Sequence, residues 1–355
     1  MDLHVLGWND FFQQHWKAYA GRGLQPGRVV EEQKEAYRVL GESGEMAAEV
    51  TGRLRHEAAD RSAFPVVGDW VAMDALQSEG KARIHQVLPR RSTLSRKAAG
   101  ERVAEQILAA NVDVAFVVMS LNADLNARRL ERYLGAIWES GALPIVLLSK
   151  ADLSKDPQGA AQCIAGTAPG VDIHILSART GEGLDALAHC LEPGRTVVFL
   201  GSSGVGKSTL INTLLGSDSQ KTLEIRDGDD RGRHATTYRR LFVLHGGGLL
   251  IDTPGMRELQ LWGADTGLDD TFEEIGALSA DCHFRNCSHD TEPGCAVLEA
   301  IANGTLDQDR LGNYRKLRRE QQFLERRRDL AAQAEQKRIW KQRGRALKRH
   351  YKLKS

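Results

Sequence analysis

The residues with the plainest chemistry are Gly201-Ser202-Ser203-Gly204-Val205-Gly206-Lys207-Ser208, which spell GxxxxGK[ST]. They follow the apolar run TVVFL and open into STLINTLL, the strand-to-helix setting that a phosphate-binding loop requires. Glycines let backbone N–H groups close around phosphates, and the start of the helix adds positive potential. In that setting Lys207 reaches the β- and γ-phosphates, the Ser208 hydroxyl is a Mg²⁺ ligand, and Thr209 is counted with them in the first turn. Asp252-Thr253-Pro254-Gly255 ends a second apolar run, GLLI. Alone it is an ordinary Pro-Gly turn. Beside a phosphate loop its carboxylate can act through water on Mg²⁺, and the Gly255 N–H can sense the γ-phosphate.

Two further strand ends carry groups suited to a purine base. Ser149-Lys150-Ala151-Asp152 follows PIVLL and resembles the guanine-reading NKxD motif, with Ser149 where that motif has Asn. The Asp152 carboxylate can accept from both N1–H and N2–H of guanine, a pair of donors adenine lacks, and Lys150 can lay its aliphatic stem over the ring. Ser177-Ala178, after IHIL, resembles the SA motif whose backbone N–H contacts the guanine oxygen. Each is a weak signal alone, because strand ends of this composition are common.

A third group is Cys282, Cys287, His289 and Cys295, spaced C-x4-C-x-H-x5-C. Four soft N/S ligands within 14 residues suit one tetrahedral Zn²⁺, and a full ligand set leaves no position for water, so the site is structural rather than catalytic. Buried or free thiols are the alternative at a spacing that is not a common finger. Cys163 and Cys190, without nearby partners, are expected to be small core residues.

These groups need a scaffold. VDVAFVVM and LPIVLL are nearly continuously apolar, as strands covered on both faces should be. The spacing predicts α/β strands over 112–119, 143–149, 173–177, 197–200, 240–244 and 249–251, with helical stretches between. Asp152 and Ser177 precede Gly201, the reverse of an ordinary Ras-like order, which a circular permutation explains because connections lie at the surface. Ahead of this domain, short strands over 27–40, 45–54, 66–75 and 81–87 predict a small OB-like barrel. From Leu311 to Ser355 there are 16 basic against 4 acidic residues, in a chain of 355 with net charge +1, so a basic tail follows an acidic body. That asymmetry suggests a polyanionic partner or a solvated helical face. The longest uninterrupted apolar run, Val114 to Met119, is too short for a membrane helix, and Met1 to Trp16 carries Asp2 and Asp10 where a secretion signal needs a basic start. A cytoplasmic protein without a membrane partner is expected.

The chain resembles the circularly permuted, small-subunit-dependent GTPases of the RsgA (YjeQ) family. The resemblance runs through GDW at Gly68 to Trp70, RSTLSRK at Arg91 to Lys97, the permuted motifs and the Cys/His segment. Gly232-Arg233-His234-Ala235-Thr236-Thr237 is similar to the family's GRHTTT switch, with Ala235 in place of its first Thr. The resemblance implies that Thr236 ligates Mg²⁺, with Thr237 the fallback. It also implies that His234 orients the attacking water, since Met256 stands where Ras-like enzymes carry Gln.

The expected architecture is therefore an α/β, circularly permuted Ras-like P-loop GTPase domain with an N-terminal OB-like β-barrel and a C-terminal zinc-binding, helical domain. Its expected divisions are an extension over 1–26, an RNA-binding barrel over 27–100, the GTPase domain over 101–264, a zinc segment over 265–310 and a basic tail over 311–355. The expected activity is hydrolysis of GTP to GDP by a monomer during late maturation of the small ribosomal subunit, whose rRNA the barrel and tail hold. The catalytic set is His234, Thr236 and Lys207. An RNA-binding scaffold that binds guanine nucleotide with little turnover is the alternative, and a P-loop ATPase is disfavoured by Asp152 and Ser177.

Overall fold

A computed structural model describes residues 1–33, 36–76, 79–97, 105–122, 125–216, 239–252, 266–323 and 326. His234, Thr236, Gly255 and Met256, together with most of the basic tail, lie outside the described residues.

After a short helix, α1 (Asp10–Trp16), strands β1 (Gln25–Gln33), β2 (Ala36–Gly41), β3 (Gly44–Val50), β4 (Trp70–Leu76) and β5 (Lys81–Val87) form a barrel. The strand order is β1-β2-β3-β5-β4, and β4 returns to pair with β1 and close it. Helix α2 (Gly52–Glu57) follows β3, and the β3–β5 pairing is parallel. The run expected as one strand over 27–40 is divided into β1 and β2, which pair as an antiparallel hairpin; VVEEQKEAYRVL carries no Asn-Gly or Asp-Gly to announce the division. In a second hairpin, β6 (Thr93–Lys97) pairs with β7 (Glu105–Ala110), whose Ile107 and Ala110 pack against Val66.

The nucleotide-binding unit follows with β8 (Val114–Ser120), α3 (Ala127–Ser140), β9 (Leu143–Ser149), α4 (Pro157–Ala165), β10 (Asp172–Ile175), β11 (Thr196–Leu200), α5 (Lys207–Leu215), β12 (Arg239–Val243) and β13 (Leu249–Asp252). All residues of β8 and β11 are buried, which is why their sequences read as unbroken apolar runs. The sheet order β10-β9-β8-β11-β13-β12 puts β11 in the middle, parallel to β8 and β13, with β12 antiparallel at the end. Helix α3 is held at its start by the Asn126 side chain, which accepts from the Arg129 N–H, and it turns Leu130, Tyr133, Leu134 and Ile137 inward at i, i+3, i+4, i+7 spacing.

The barrel and the nucleotide-binding unit share one eleven-stranded sheet, because β12 also pairs with β1. One buried cluster runs from Leu6, Trp8 and Phe12 through Trp70 and the sheet to Phe272, Val297 and Leu317. Arg28 sits where these parts meet, 1% exposed and stacked 5.5 Å from the Trp70 ring centre. Its guanidinium donates to Leu6 O, Asn111 O and Thr196 Oγ1 at 2.6, 3.2 and 3.0 Å, tying the N-terminal segment, the barrel and β11 together. Burial pulls its pKa down to about 10.

Beyond the sheet, α6 (Thr266–Thr271) packs on α3, α7 (Glu273–Ala280) packs on α6 and on α8 (Ala296–Ala302), and α9 (308–323) reaches α3 through Arg310 and Glu131. No helix among the described residues is long and apolar enough to cross a membrane.

Candidate functional site

The glycine-rich loop leaves the carboxyl end of β11, between two parallel neighbours, where open α/β sheets place their ligands. Gly201 has φ +137°, and a Cβ there would stand 2.3 Å from Val118 O, so no other residue fits the first turn. Gly206, at φ +99°, caps α5 without a side-chain hydrogen bond, so the N–H groups of the first turn remain for an anion. Lys207 Nζ donates to Gly201 O at 2.7 Å and to Ser202 O, folding its ammonium over the loop. Ser203, Gly204, Ser208 and Thr209 are exposed, and Val205 anchors the loop in the core.

The permuted motifs converge on this loop. Ser149 is 2% exposed, and its Oγ lies 2.6 Å from Val205 O, to which it donates. Lys150, in the left-handed region at φ +60°, sends Nζ 2.7 Å from Gly204 O. The hydroxyl at the position where NKxD has Asn therefore ties the end of β9 to the glycine-rich loop. Asp152 is exposed, and one of its oxygens accepts from Ser177 Oγ at 2.7 Å. Ser177 is fully buried, its N–H donating to Glu182 O, and Ala178 follows it at the same strand end. Asp252 closes β13 on the other side of β11. The structure thus gathers Ser149, Lys150, Asp152, Ser177 and the loop into one surface, with Asp252 at the neighbouring strand end.

A second constellation lies between α7 and α8. The ligand atoms of Cys282, Cys287, His289 and Cys295 all lie within 4.8 Å of one another and could hold one metal ion. His289 Nδ1 is 3.6 Å from Cys282 Sγ and 3.5 Å from Cys295 Sγ, and those two sulfurs are 3.9 Å apart. On the far side of the ring, Nε2 is 3.1 Å from Ser279 Oγ, which itself donates to Ile275 O at 2.6 Å. The Ser279 oxygen therefore accepts from Nε2–H, which fixes the tautomer and aims the Nδ1 lone pair at the three sulfurs. Burial, reinforced by Arg315, pushes the His289 pKa down and keeps the ring neutral, as a metal ligand must be.

The model of the RsgA GTPase family matches residues 87–262. The small ribosomal subunit biogenesis GTPase RsgA of Opitutus terrae is 49% identical over 96% of this chain and 95% of its own length. Its namesake from Syntrophotalea carbinolica is 45% identical over 95% and 94%. The chain belongs to the RsgA GTPase family. Among solved structures, YjeQ from Thermotoga maritima superposes with a TM-score of 0.64 at 25% identity, covering 84% of this chain and 98% of that one. YloQ, described as a circularly permuted GTPase, gives 0.61 at 26% identity over 88% and 97%. The permuted RsgA architecture read from motif order is thus the architecture of the chain.

Several residues that shape the RsgA sites have no motif to announce them. Ser279 is visible only as the partner of the His289 ring. Arg310 and Glu131 form a buried pair joining α9 to α3 at 2.8 Å, and their side chains are 10% and 4% exposed. Of the two cysteines expected in the core, Cys190 is buried and Cys163 is exposed, because Cys163 falls on the outer face of α4.

Proposed function

We propose that this chain hydrolyses GTP to GDP and phosphate as a maturation factor of the small ribosomal subunit, with turnover stimulated by the subunit. The observation that carries the reading is the linkage of a guanine-reading strand end to a phosphate loop, Ser149 Oγ to Val205 O and Lys150 Nζ to Gly204 O. The names of the relatives supply the ribosomal subunit as partner. Asp152, braced by Ser177, reads N1–H and N2–H of guanine, with the Ala178 N–H at the guanine oxygen. The backbone of Gly201 to Gly206 and the Lys207 ammonium hold the phosphates, beside Ser202, Ser203 and Thr209. Ser208 and Thr236 would hold Mg²⁺, with Asp252 acting through water; when bound, the ion neutralises charge on the β- and γ-oxygens. Water attacks the γ-phosphorus and GDP leaves with the bridging oxygen. His234 orients that water and Gly255 donates to the γ-phosphate, positions that depend on docking because Met256 cannot orient water.

The Cys/His cluster takes one structural Zn²⁺. Tetrahedral bonds of about 2.3 Å to sulfur and 2.0 Å to nitrogen place sulfurs about 3.8 Å apart and sulfur about 3.5 Å from nitrogen. The separations of 3.9, 3.6 and 3.5 Å support that fit. RNA is held by the barrel (27–100) and the basic tail (311–355), and a cleft lined by Phe284, Arg285, Arg318 and Arg319 adds positive charge. We assign the extension, GTPase and zinc divisions to 1–26, 101–264 and 265–310, in a cytoplasmic monomer. Hydrolysis measured with and without purified small subunits tests the reading. Stimulated turnover of GTP but not ATP is expected; equal turnover of both, or indifference to the subunit, overturns it.

A further inference from the structure

Where β1 pairs with β12, the seam between barrel and nucleotide-binding unit is formed by charged residues. In the register of β1 with β12, Glu31 faces Arg240 and Glu32 faces Arg239. Glu31 lies 3.4 Å from Arg240, which also reaches Glu45 at 3.8 Å. Glu32 lies 3.4 Å from Arg239 and 3.5 Å from Arg61, and Arg239 donates to Ile107 O at 3.1 Å. Successive residues of a strand point to opposite faces, so the two pairs rivet the seam from both sides. The groups are well covered: burial pushes the Glu32 pKa up and the Arg239 pKa down. A seam needed only for cohesion is served as well by apolar cross-strand pairs, since burying ions costs about what their attraction returns.

The placement of these arginines shows what else they can do. On its other side β12 pairs with β13, and there Arg240 faces Asp252. Directly opposed residues of antiparallel strands share a face, so Glu31, Arg240 and Asp252 form one row across three strands. Arg239 is the third residue after Thr236, and Asp252 the third before Gly255. Arg239 thus opens β12 and Asp252 closes β13 at the points that adjoin, in sequence, the residues proposed for Mg²⁺ and the γ-phosphate.

We propose that Arg239 and Arg240 are positioning residues through which RNA held by the barrel sets the geometry of the nucleotide site, with Glu31 and Glu32 as their barrel partners. The inference rests on the reading of the chain as a subunit-stimulated GTPase. Coupling between sites is reciprocal, so a barrel that stimulates turnover also binds the subunit with an affinity that depends on the nucleotide, typically by about 5- to 150-fold.

The test uses the full-length protein, purified small subunits, and GDP or a non-hydrolysable GTP analogue. Glu32→Gln, Arg239→Gln and Arg240→Gln should leave unstimulated turnover and GDP affinity within about twofold of wild type. Stimulated turnover should fall at least fivefold, and the ratio of subunit affinities in the analogue and GDP states should fall toward one. Arg239→Lys, which keeps the charge, should recover most of both. A merely structural seam would lower melting temperature in every variant without moving the affinity ratio. Full stimulation with an unchanged ratio in the folded variants overturns the inference, and so does an equal loss of unstimulated turnover. A wild-type protein that the subunit does not stimulate overturns the underlying functional reading and the seam's role with it.

Discussion

Replacing Arg310 by Met should release the Cys/His-bearing helices from the nucleotide-binding unit, and the release should depend on pH. The guanidinium donates to Glu131 Oε1, Thr167 O and Thr271 O, each at 2.8 Å, pairs with Glu274, and lies 4.9 Å from the centre of the Phe272 ring. Glu131, 3% exposed, would keep Asn313 as its remaining hydrogen-bond partner among these groups. Removing one member of a buried pair costs about 3–5 kcal/mol. Amide exchange through local opening of α9 from α3 should then accelerate roughly a hundred- to several-thousand-fold. Burial already pushes the Glu131 pKa above the usual carboxylate value, with Asn313 and Arg310 opposing it. Without Arg310 the folded value rises further. A carboxyl with a folded pKa above its unfolded one costs nothing below the unfolded pKa, about 4.3, and destabilises increasingly as pH rises through the folded value. Arg310→Met should thus be near its best at acid pH and worst at neutrality, and adding Glu131→Gln should flatten that dependence. Hydrogen exchange of α3 and α9 across pH is the assay. Unchanged protection, or a loss independent of pH, would refute the reasoning.

Ser149→Ala leaves the buried Val205 carbonyl without its 2.6 Å donor, a penalty of about 1–3 kcal/mol, and should weaken GDP binding about tenfold while Ser149→Thr binds normally; equilibrium titration decides it. Asp152→Asn should lower affinity for guanine nucleotides and raise it for xanthine nucleotides, whose extra carbonyl can accept from the new amide, as competition binding would show. The purified protein should contain one zinc per chain by metal analysis, and Cys287→Ala should lose it; full zinc in that variant rules out the four-ligand site. His234→Ala should reduce single-turnover hydrolysis on the small subunit far more than GTP affinity, and unchanged hydrolysis would remove His234 from water positioning.

Much of the candidate nucleotide site is proposed from the sequence because its residues are local in the chain. The glycine loop, SKAD, SA and DTPG each sit at the end of an apolar run, and parallel strands buried on both faces make such runs conspicuous. The Cys/His spacing announced a ligand set for the same reason. What escaped the sequence is what depends on partners far apart in the chain. Glu32 and Arg239 are separated by 207 residues, and Arg310 and Glu131 by 179. Each reads alone as one more charge on a helix or strand, and only the fold reveals that it is paired and largely covered. The β1–β2 hairpin is hidden in the sequence for a different reason: Lys34-Glu35, between the two strands, offers no glycine or asparagine of the kind that marks most tight connections.

The continuous sheet also bears on solubility. In a nucleotide-binding unit standing alone, β12 would be an outer strand offering a row of unpaired N–H and C=O groups to any other chain. Such rims template aggregation, and proteins guard them with charge, brevity or a covering strand. Here β1 covers the first rungs, the two arginines at the start of β12 supply the charge, and the opposite rim is β10, only four residues long. Because β1 precedes β12 in the chain, the strand that covers this rim has already been synthesised when β12 is made.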